Sequence, residues 1–414
     1  MSTCHYREGA LHIEDVALSA IAQRFGTPCY IYSKAALEAS YREYDSALKA
    51  HPHLVCYALK ANSNLAVLDV FARMGSGFDI VSGGELARVL RAGGDAAKVV
   101  FSGVGKTVAE MEQALEARIL CFNVESAAEL HILDSVARAK GVKAPVSIRI
   151  NPDVDPRTHP YIATGLSESK FGVPFQDAAE LYRHAATLPN LAVRGIDLHI
   201  GSQITDLAPF HDAIAKTFEL IEVLRSHGIA LDHVDVGGGL GIRYRDEQPV
   251  PLTDYAAMLM KLFAGRPERL LVEPGRRLVG DAGVLLTRVL YLKPGAKRSF
   301  AVVDGAMNDL IRPALYGAWH PVSPVRPRDG ATINWQIVGP VCESGDFLAA
   351  DREIALVEGD LLAIGATGAY GFVMSSNYNT RARACEVMVS RSTAHEVRAR
   401  ETVESLFANE SLLP

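Results

Sequence analysis

Three residues whose chemistry could be useful stand at the ends of short apolar runs. Lys60 follows Val55-Cys56-Tyr57-Ala58-Leu59, His199 follows Gly195-Ile196-Asp197-Leu198, and Glu273 follows Leu270-Leu271-Val272. A lysine or a glutamate is costly to bury alone. An amine withdrawn from water ionises less readily and can attack a carbonyl to form a Schiff base, which makes Lys60 a candidate nucleophile. A strand end whose ammonium reaches solvent is the plain alternative, and the residues next to Lys60 do not separate the two. His199 could stack its flat ring on an aromatic ligand or simply be a satisfied structural histidine. A carboxylate at Glu273 would suit a protonated pyridine nitrogen, keeping that ring charged and electron-withdrawing. Nearby, Ser202 and the backbone of Gly237-Gly238-Gly239 could approach an anion closely. Gly275-Arg276 adds a guanidinium able to pair bidentately with phosphate or carboxylate. A tight turn explains one of the three glycines well and all three poorly.

Such residues need a scaffold that brings distant strand ends to one place. From about residue 36, short runs rich in β-branched residues occur at 54–59, 78–81, 99–102, 119–124, 146–150, 195–200, 233–236 and 270–272. Helix-period stretches lie between them at 65–74, 84–92, 108–117, 126–140, 177–188, 209–227 and 254–263. Eight strands alternating with helices over about 220 residues predict a (β/α)8 barrel, with an open doubly wound sheet as the competitor. A barrel gathers functional residues at the C-terminal ends of several strands. Here those ends carry Lys60, Ser82, Gly103, Glu125, Arg149, His199, Gly237 to Gly239 and Glu273 to Arg276, which favours the barrel. Beyond Arg276 the alternation stops. Runs at 284–292, 300–303, 334–338, 361–364 and 385–389, set among glycine and proline turns, predict a mainly β domain. The expected division is a barrel over 36–273, with 1–35 and 274–414 forming a β-rich domain. The first part reads as a helical piece at 16–25 and an extended piece at 28–32.

Composition narrows the classes. The 414 residues are 49% hydrophobic and 22% charged, with a formal charge of −6, which gives no reason to expect nucleic acid as a partner. No apolar run approaches the ~20 residues that cross a bilayer, and no secretory leader is legible, so no membrane association is expected. Six scattered cysteines without a C-x-x-C pair point to a reduced, cytoplasmic protein with no structural zinc. Three partial motifs fail on inspection. Gly103-Val104-Gly105-Lys106-Thr107 lacks the first glycine of a P-loop, since Val100 stands there, and Gly237 to Gly241 loses the last glycine of a dinucleotide fingerprint to Ile242. His51-Pro52-His53 has no carboxylate or cysteine at ligand spacing, so no metal is expected.

A lysine for an aldehyde, a carboxylate for a pyridinium, and glycines with a serine for a phosphate together suit pyridoxal 5′-phosphate. With them stand Tyr57-Ala58-Leu59-Lys60-Ala61-Asn62, His199-Ile200-Gly201-Ser202-Gln203, Glu273-Pro274-Gly275-Arg276 and Cys342-Glu343-Ser344-Gly345-Asp346. In order and spacing from about 25 to 390 these resemble the motifs of the pyridoxal-phosphate-dependent ornithine, arginine and diaminopimelate decarboxylases, built on an alanine-racemase-like barrel. Tyr161-Ile162-Ala163-Thr164-Gly165, Ser169-Lys170-Phe171-Gly172 and Cys342 to Leu348 are most similar to the diaminopimelate branch.

The resemblance implies a role for each matching position. Lys60 would hold the cofactor covalently, His199 would stack on its ring, and Glu273 would pair with the ring nitrogen. Ser202, Gly239, Gly275 and Arg276 would surround the phosphate. Arg276, Arg312 and Tyr316 would meet the substrate carboxylate, Glu343 the distal amino group, and Tyr370 both cofactor and substrate. Cys342 would be the proton donor, contributed by the partner subunit of a homodimer with shared active sites. The implied reaction converts meso-2,6-diaminopimelate, a small amino acid, to L-lysine and carbon dioxide. Sister activities on carboxynorspermidine, arginine or ornithine, a racemase and a non-catalytic homologue that binds the same cofactor are the alternatives. The connection at 151–171 is long enough to read as a lid.

Overall fold

A computed structural model describes residues 3–155, 164 and 169–414. Most of the Tyr161 to Gly165 motif, and with it most of the expected lid, lies outside the described residues. The chain forms two compact units. One comprises Ser40–Arg243 and Glu247–Arg277; the other comprises Met1–Ala39, Tyr244–Asp246 and Leu278–Pro414.

The first unit is a closed parallel barrel. Its strands are β1 (His53–Ala58), β2 (Gly77–Ile80), β3 (Val99–Phe101), β4 (Cys121–Val124), β5 (Ala144–Asn151), β6 (Leu191–Leu198), β7 (His233–Asp235) and β8 (Arg269–Val272). Each pairs with its neighbours in sequence, and β8 returns to β1 through Leu270↔His53, Leu271↔Leu54 and Val272↔Val55. Closure removes the edges that an open doubly wound sheet would leave. Between the strands run α1 (Leu65–Arg73), α2 (Gly83–Arg91), α3 (Val108–Ala117), α4 (Ala127–Lys140), α5 (Phe175–Thr187), α6 (Ala208–Ser226) and α7 (Leu252–Leu262). Several start signals are local. Asn64, Ser82 and Ser126 accept backbone N–H bonds at the N-termini of α1, α2 and α4, and Thr107 forms a capping box with Glu110 at α3. Ser82, read from the sequence as a rim residue, therefore serves as a cap.

One helix escapes the periodicity reading. Lys34–Leu48 precedes β1, with Leu37, Tyr41, Tyr44 and Leu48 all buried at helical spacing. Tyr41 lies 5.9 Å from Phe71 of α1, ring centroid to centroid, so a helix ahead of the first strand covers the barrel at that point. At the end where the strands begin, Leu54, Cys56, Val100, Cys121 and Leu271 fill the interior with apolar side chains. At the opposite end the filling is polar.

The second unit is built on a nine-stranded sheet. Its main path runs Phe347–Ile354, Ile333–Val338, Ser299–Val303, Gly283–Lys293, Cys29–Ser33, Cys385–Ser390 and Thr393–Arg398, with Val322–Pro324 and Leu361–Ile364 beside it. Cys29–Ser33, the extended N-terminal piece, pairs antiparallel with Gly283–Lys293 and parallel with Cys385–Ser390. Its core joins Ile13, Leu18 and Ile21 to Ile31, Leu286, Val387 and Val389. Among the described residues no helix is long and apolar enough to cross a membrane.

Candidate functional site

Lys60 lies on a 3-10 turn, Leu59–Ala61, immediately beyond β1. Its side chain is 35% exposed, and its Nζ stands 2.5 Å from Oδ2 of Asp79, which is fully buried on β2. The neighbouring sequence left open a desolvated amine or an ammonium reaching solvent; the structure gives Lys60 partial exposure together with a carboxylate partner. The turn is pinned from behind, since Ala58 donates to the Pro274 carbonyl at 3.2 Å. A Cβ on Gly275 would sit 3.0 Å from Ala61 Cβ and 3.2 Å from Ala58 Cβ, so glycine lets the segment after β8 press against the lysine turn. That contact sets Glu273 and Lys60 on adjacent strand ends.

Glu273 is buried with Asp197 of β6 and Asp235 of β7, their carboxylate oxygens within 4.8 Å of one another. Each leaves one buried oxygen without a hydrogen-bond partner: Glu273 Oε1, Asp197 Oδ1 and Asp235 Oδ2. Burial is the first cause that raises all three pKa values, that of Asp235 to about 7; repulsion from Asp235 adds to it at Asp197 and Glu273, and repulsion from Asp79 adds to it at Asp235. Such a cluster calls for a cation or a donor hydrogen. A protonated ring nitrogen satisfies that need, and so would a hard metal ion. The sequence reading found Glu273 and missed Asp79, Asp197 and Asp235. A signal was present, because each is a single aspartate inside an otherwise apolar strand: Phe78-Asp79-Ile80, Ile196-Asp197-Leu198 and Val234-Asp235-Val236.

His199 follows β6, and its Nδ1 accepts the Gly238 N–H at 3.1 Å. Burial, and then the charges of Arg149 and Lys60, push its pKa well below the ordinary histidine value, so the ring is neutral. Arg149 of β5 bonds Glu125 at 3.3 Å and the His199 carbonyl at 3.4 Å. Its guanidinium also lies 4.8 Å from the centre of the Phe171 ring. Glu125 accepts N–H bonds from Gly103 and Gly172. The strand-end polar residues thus support the rim as well as line it.

The glycine cluster has a reason beyond anion approach. A Cβ would meet the Leu198 carbonyl oxygen at 2.5 Å from Gly237, that of Glu273 at 2.2 Å from Gly238, and that of Gly201 at 2.5 Å from Gly239. All three glycines are required because the backbones of three strand ends converge here. Beside them Arg276 donates to Ser202 Oγ at 3.0 Å, joining two residues expected at an anion.

Arg312, Tyr316, Cys342, Glu343 and Tyr370 belong to the second unit. Arg312 and Tyr316 open and close the short helix Arg312–Tyr316. Arg312 is buried, 2.8 Å from His320 Nε2 and 4.7 Å from the centre of the Tyr244 ring. The Gly365 carbonyl lies 2.9 Å from His320 Nδ1, which assigns the hydrogen to Nδ1 and leaves Nε2 to accept from Arg312. Cys342 is a free, exposed thiol whose backbone N–H donates to Asn379 at 3.1 Å, and Glu343 beside it is exposed too. Exposure excludes the reading of Cys342 as a buried small hydrophobe. Asp346, by contrast, is buried and braces the loop through bonds from Met307 and Val341. Tyr370 holds a positive φ of 55°.

Comparison with known proteins is consistent with this geometry. Residues 34–280 match the family described as pyridoxal-dependent decarboxylase, pyridoxal binding domain. A Pseudomonas aeruginosa protein named diaminopimelate decarboxylase is 60% identical over 414 residues, the full length of both chains. The structure of diaminopimelate decarboxylase from Helicobacter pylori complexed with L-lysine superposes with a TM-score of 0.92 at 41% identity, covering 95% of this chain and 99% of that one. The crystal structure of diaminopimelate decarboxylase from M. jannaschi superposes with a TM-score of 0.95 at 36% identity, covering 100% of this chain and 98% of that one.

Proposed function

Since this chain belongs to the pyridoxal-dependent decarboxylases, we propose that it converts meso-2,6-diaminopimelate to L-lysine and carbon dioxide with pyridoxal 5′-phosphate. One observation within the chain supports the cofactor above the rest: Glu273 Oε1 is buried without a partner on the rim where Lys60 stands. The full-length relatives named for the reaction support the substrate.

Lys60 would hold the cofactor's aldehyde, and Asp79 Oδ2 would keep the amine's proton at hand when substrate takes its place. Glu273 would maintain the charge on the ring nitrogen. His199, held neutral and oriented by Gly238, would lie against the ring without adding a positive charge. Ser202, Gly239, Gly275 and Arg276 would receive the phosphate. When bound, the cofactor supplies an electron-poor ring that accepts the electron pair left as carbon dioxide departs. Arg312, with its hydrogen bond to His320, would orient a substrate carboxylate together with Arg276, Tyr316 and Tyr370; Glu343 would take the distal ammonium. Cys342 Sγ would return a proton to the α-carbon, a task suited to a thiol, which titrates nearer neutrality than a hydroxyl. Two arginines and a glutamate fit a substrate with a second amino-acid head, whereas an ornithine-like substrate calls mainly for acid at its far end.

The deciding measurement is carbon dioxide release from a panel of meso-diaminopimelate, carboxynorspermidine, arginine and ornithine. Release should be fastest from meso-diaminopimelate by at least about tenfold, the discrimination expected from one well-placed polar contact. Comparable release from carboxynorspermidine would overturn the substrate assignment. Borohydride treatment should fix the cofactor to the peptide bearing Lys60.

The proposal extends to a cytoplasmic homodimer with shared sites, supported by the exposure of the Cys342 loop and by six cysteines that form no disulfide. Lys60→Ala and Cys342→Ala proteins, each inactive alone, should regain part of the activity when mixed. Absence of any recovery would count against a site built from two chains.

A further inference from the structure

The barrel's other rim, where the strands begin, carries a cavity of ≈ 420 Å³. Residues at the starts of several strands line it: Arg118 just before β4, Arg194 within β6, Asp232 and His233 at β7, and Arg269 opening β8. Three arginines against one aspartate leave an excess of positive charge, and Ile119 and Leu271 supply apolar lining. The volume falls in the range of about 300–1,000 Å³ typical of small-molecule sites.

The backbone that carries these arginines is irregular. Arg118 caps α3 in the left-handed region, φ 58° and ψ 54°, where glycine or asparagine is the ordinary occupant. Arg194 is the extra residue of a bulge: Val193 faces Val146, while Gly195 already faces Ser147. Bulges re-aim the side chain they carry. A cation near a helix C-terminus offsets the helix dipole, which accounts for charge at Arg118 but not at Arg194 or Arg269. Arg269 is fixed in place by two bonds to the His53 carbonyl, at 3.2 and 2.9 Å, and Arg194 pairs with Asp232 at 2.9 Å.

His233 completes the wall. It is buried over Gly195, where a Cβ would come within 2.1 Å of its Nε2, and that Nε2 has no hydrogen-bond partner. Burial, first among the causes, lowers its pKa to about 4, so the ring is neutral at working pH.

We propose that this cavity is a binding site for a small anion, a molecule with a phosphate or carboxylate head and a short apolar body, held by Arg118, Arg194 and Arg269. The site is separate from the lysine rim and does not depend on the reaction proposed above. Calorimetric titration of phenyl phosphate and of inorganic phosphate into the holoenzyme at low ionic strength tests it. One saturable site per chain is expected, with phenyl phosphate the tighter ligand. Arg118→Gly and Arg194→Gln should each weaken it by about tenfold, the order of one charge-assisted contact. Glycine suits the left-handed position, so Arg118→Gly should melt no lower than the parent while losing affinity. Absence of saturable binding, or binding undiminished in both variants, overturns the proposal. Phenyl phosphate binding no tighter than inorganic phosphate overturns the apolar-body assignment.

Discussion

Lys60→Ala protein is expected to release carbon dioxide at least about 10³-fold more slowly than the parent, the scale of losing a covalent catalytic group. In the cofactor-free protein the same change should lower stability, for a reason unrelated to catalysis. Asp79 is fully buried, and the Lys60 ammonium is its ion-pair partner. Truncating the lysine leaves that carboxylate without its cation. Stranding one member of a buried pair costs about 3–5 kcal/mol, and the partial exposure of Lys60 argues for about 2 kcal/mol here. Lys60→Ala/Asp79→Asn should therefore recover most of the stability in denaturant unfolding and none of the turnover. If the double variant is no more stable than the single one, the pair is not what holds Asp79 in place.

Glu273→Gln should separate activity from stability in the opposite direction. Without the carboxylate the ring nitrogen loses its charged partner, and turnover should fall by about 10²-fold, the order measured when one electrostatic contact to a developing charge is removed. Protein freed of cofactor should nevertheless become more stable at pH 8. The folded pKa values of Glu273, Asp197 and Asp235 are all raised, that of Asp235 to about 7 from an ordinary 3.8. A raised carboxyl contributes stability that is fully present below its unfolded pKa and is lost as pH climbs through the folded one. The cofactor-free protein should thus lose stability at this cluster as pH rises from about 4 through the folded pKa values of the three groups, about 7 for Asp235. Glutamine removes the raised Glu273 carboxyl itself and should flatten that loss. Melting curves at pH 5 and pH 8 decide the matter; identical slopes for parent and variant would show that the three carboxyls do not share their burden. A site strained for function is a common origin of such a trade.

The barrel was legible because period and count agree: all eight apolar runs became strands, and seven helices follow at the expected places. Lys34–Leu48 was missed although Leu37, Tyr41, Tyr44 and Leu48 repeat at helical spacing, because the strand before it, Cys29–Ser33, pairs in the mainly β sheet and does not open a barrel β/α unit. The rim was half legible. Lys60, His199, Ser202, Glu273 and Arg276 stand out because a reactive or polar type ends an apolar run. Asp79, Asp197 and Asp235 sit inside such runs, where a period-2 pattern reads a polar residue as facing solvent. In a closed barrel the other face is the interior, so the same residue is buried. The glycines were half understood as well. Their number was noticed, but the carbonyl oxygens they make room for belong to segments that sequence proximity does not reveal.

The pairing of Cys29–Ser33 has a consequence for biosynthesis. Every residue of that strand is buried in the finished sheet, yet its first partner, Gly283–Lys293, is encoded about 250 residues later. At a synthesis rate of about 5–20 residues per second, Cys-Tyr-Ile-Tyr-Ser waits some 12–50 s for its neighbours. Meanwhile the barrel strands, each paired with the next in sequence, can close behind the ribosome. During that interval an apolar, aromatic edge stands open on the nascent chain, and it is there that a holdase or a trigger-type chaperone would find this protein most in need of cover.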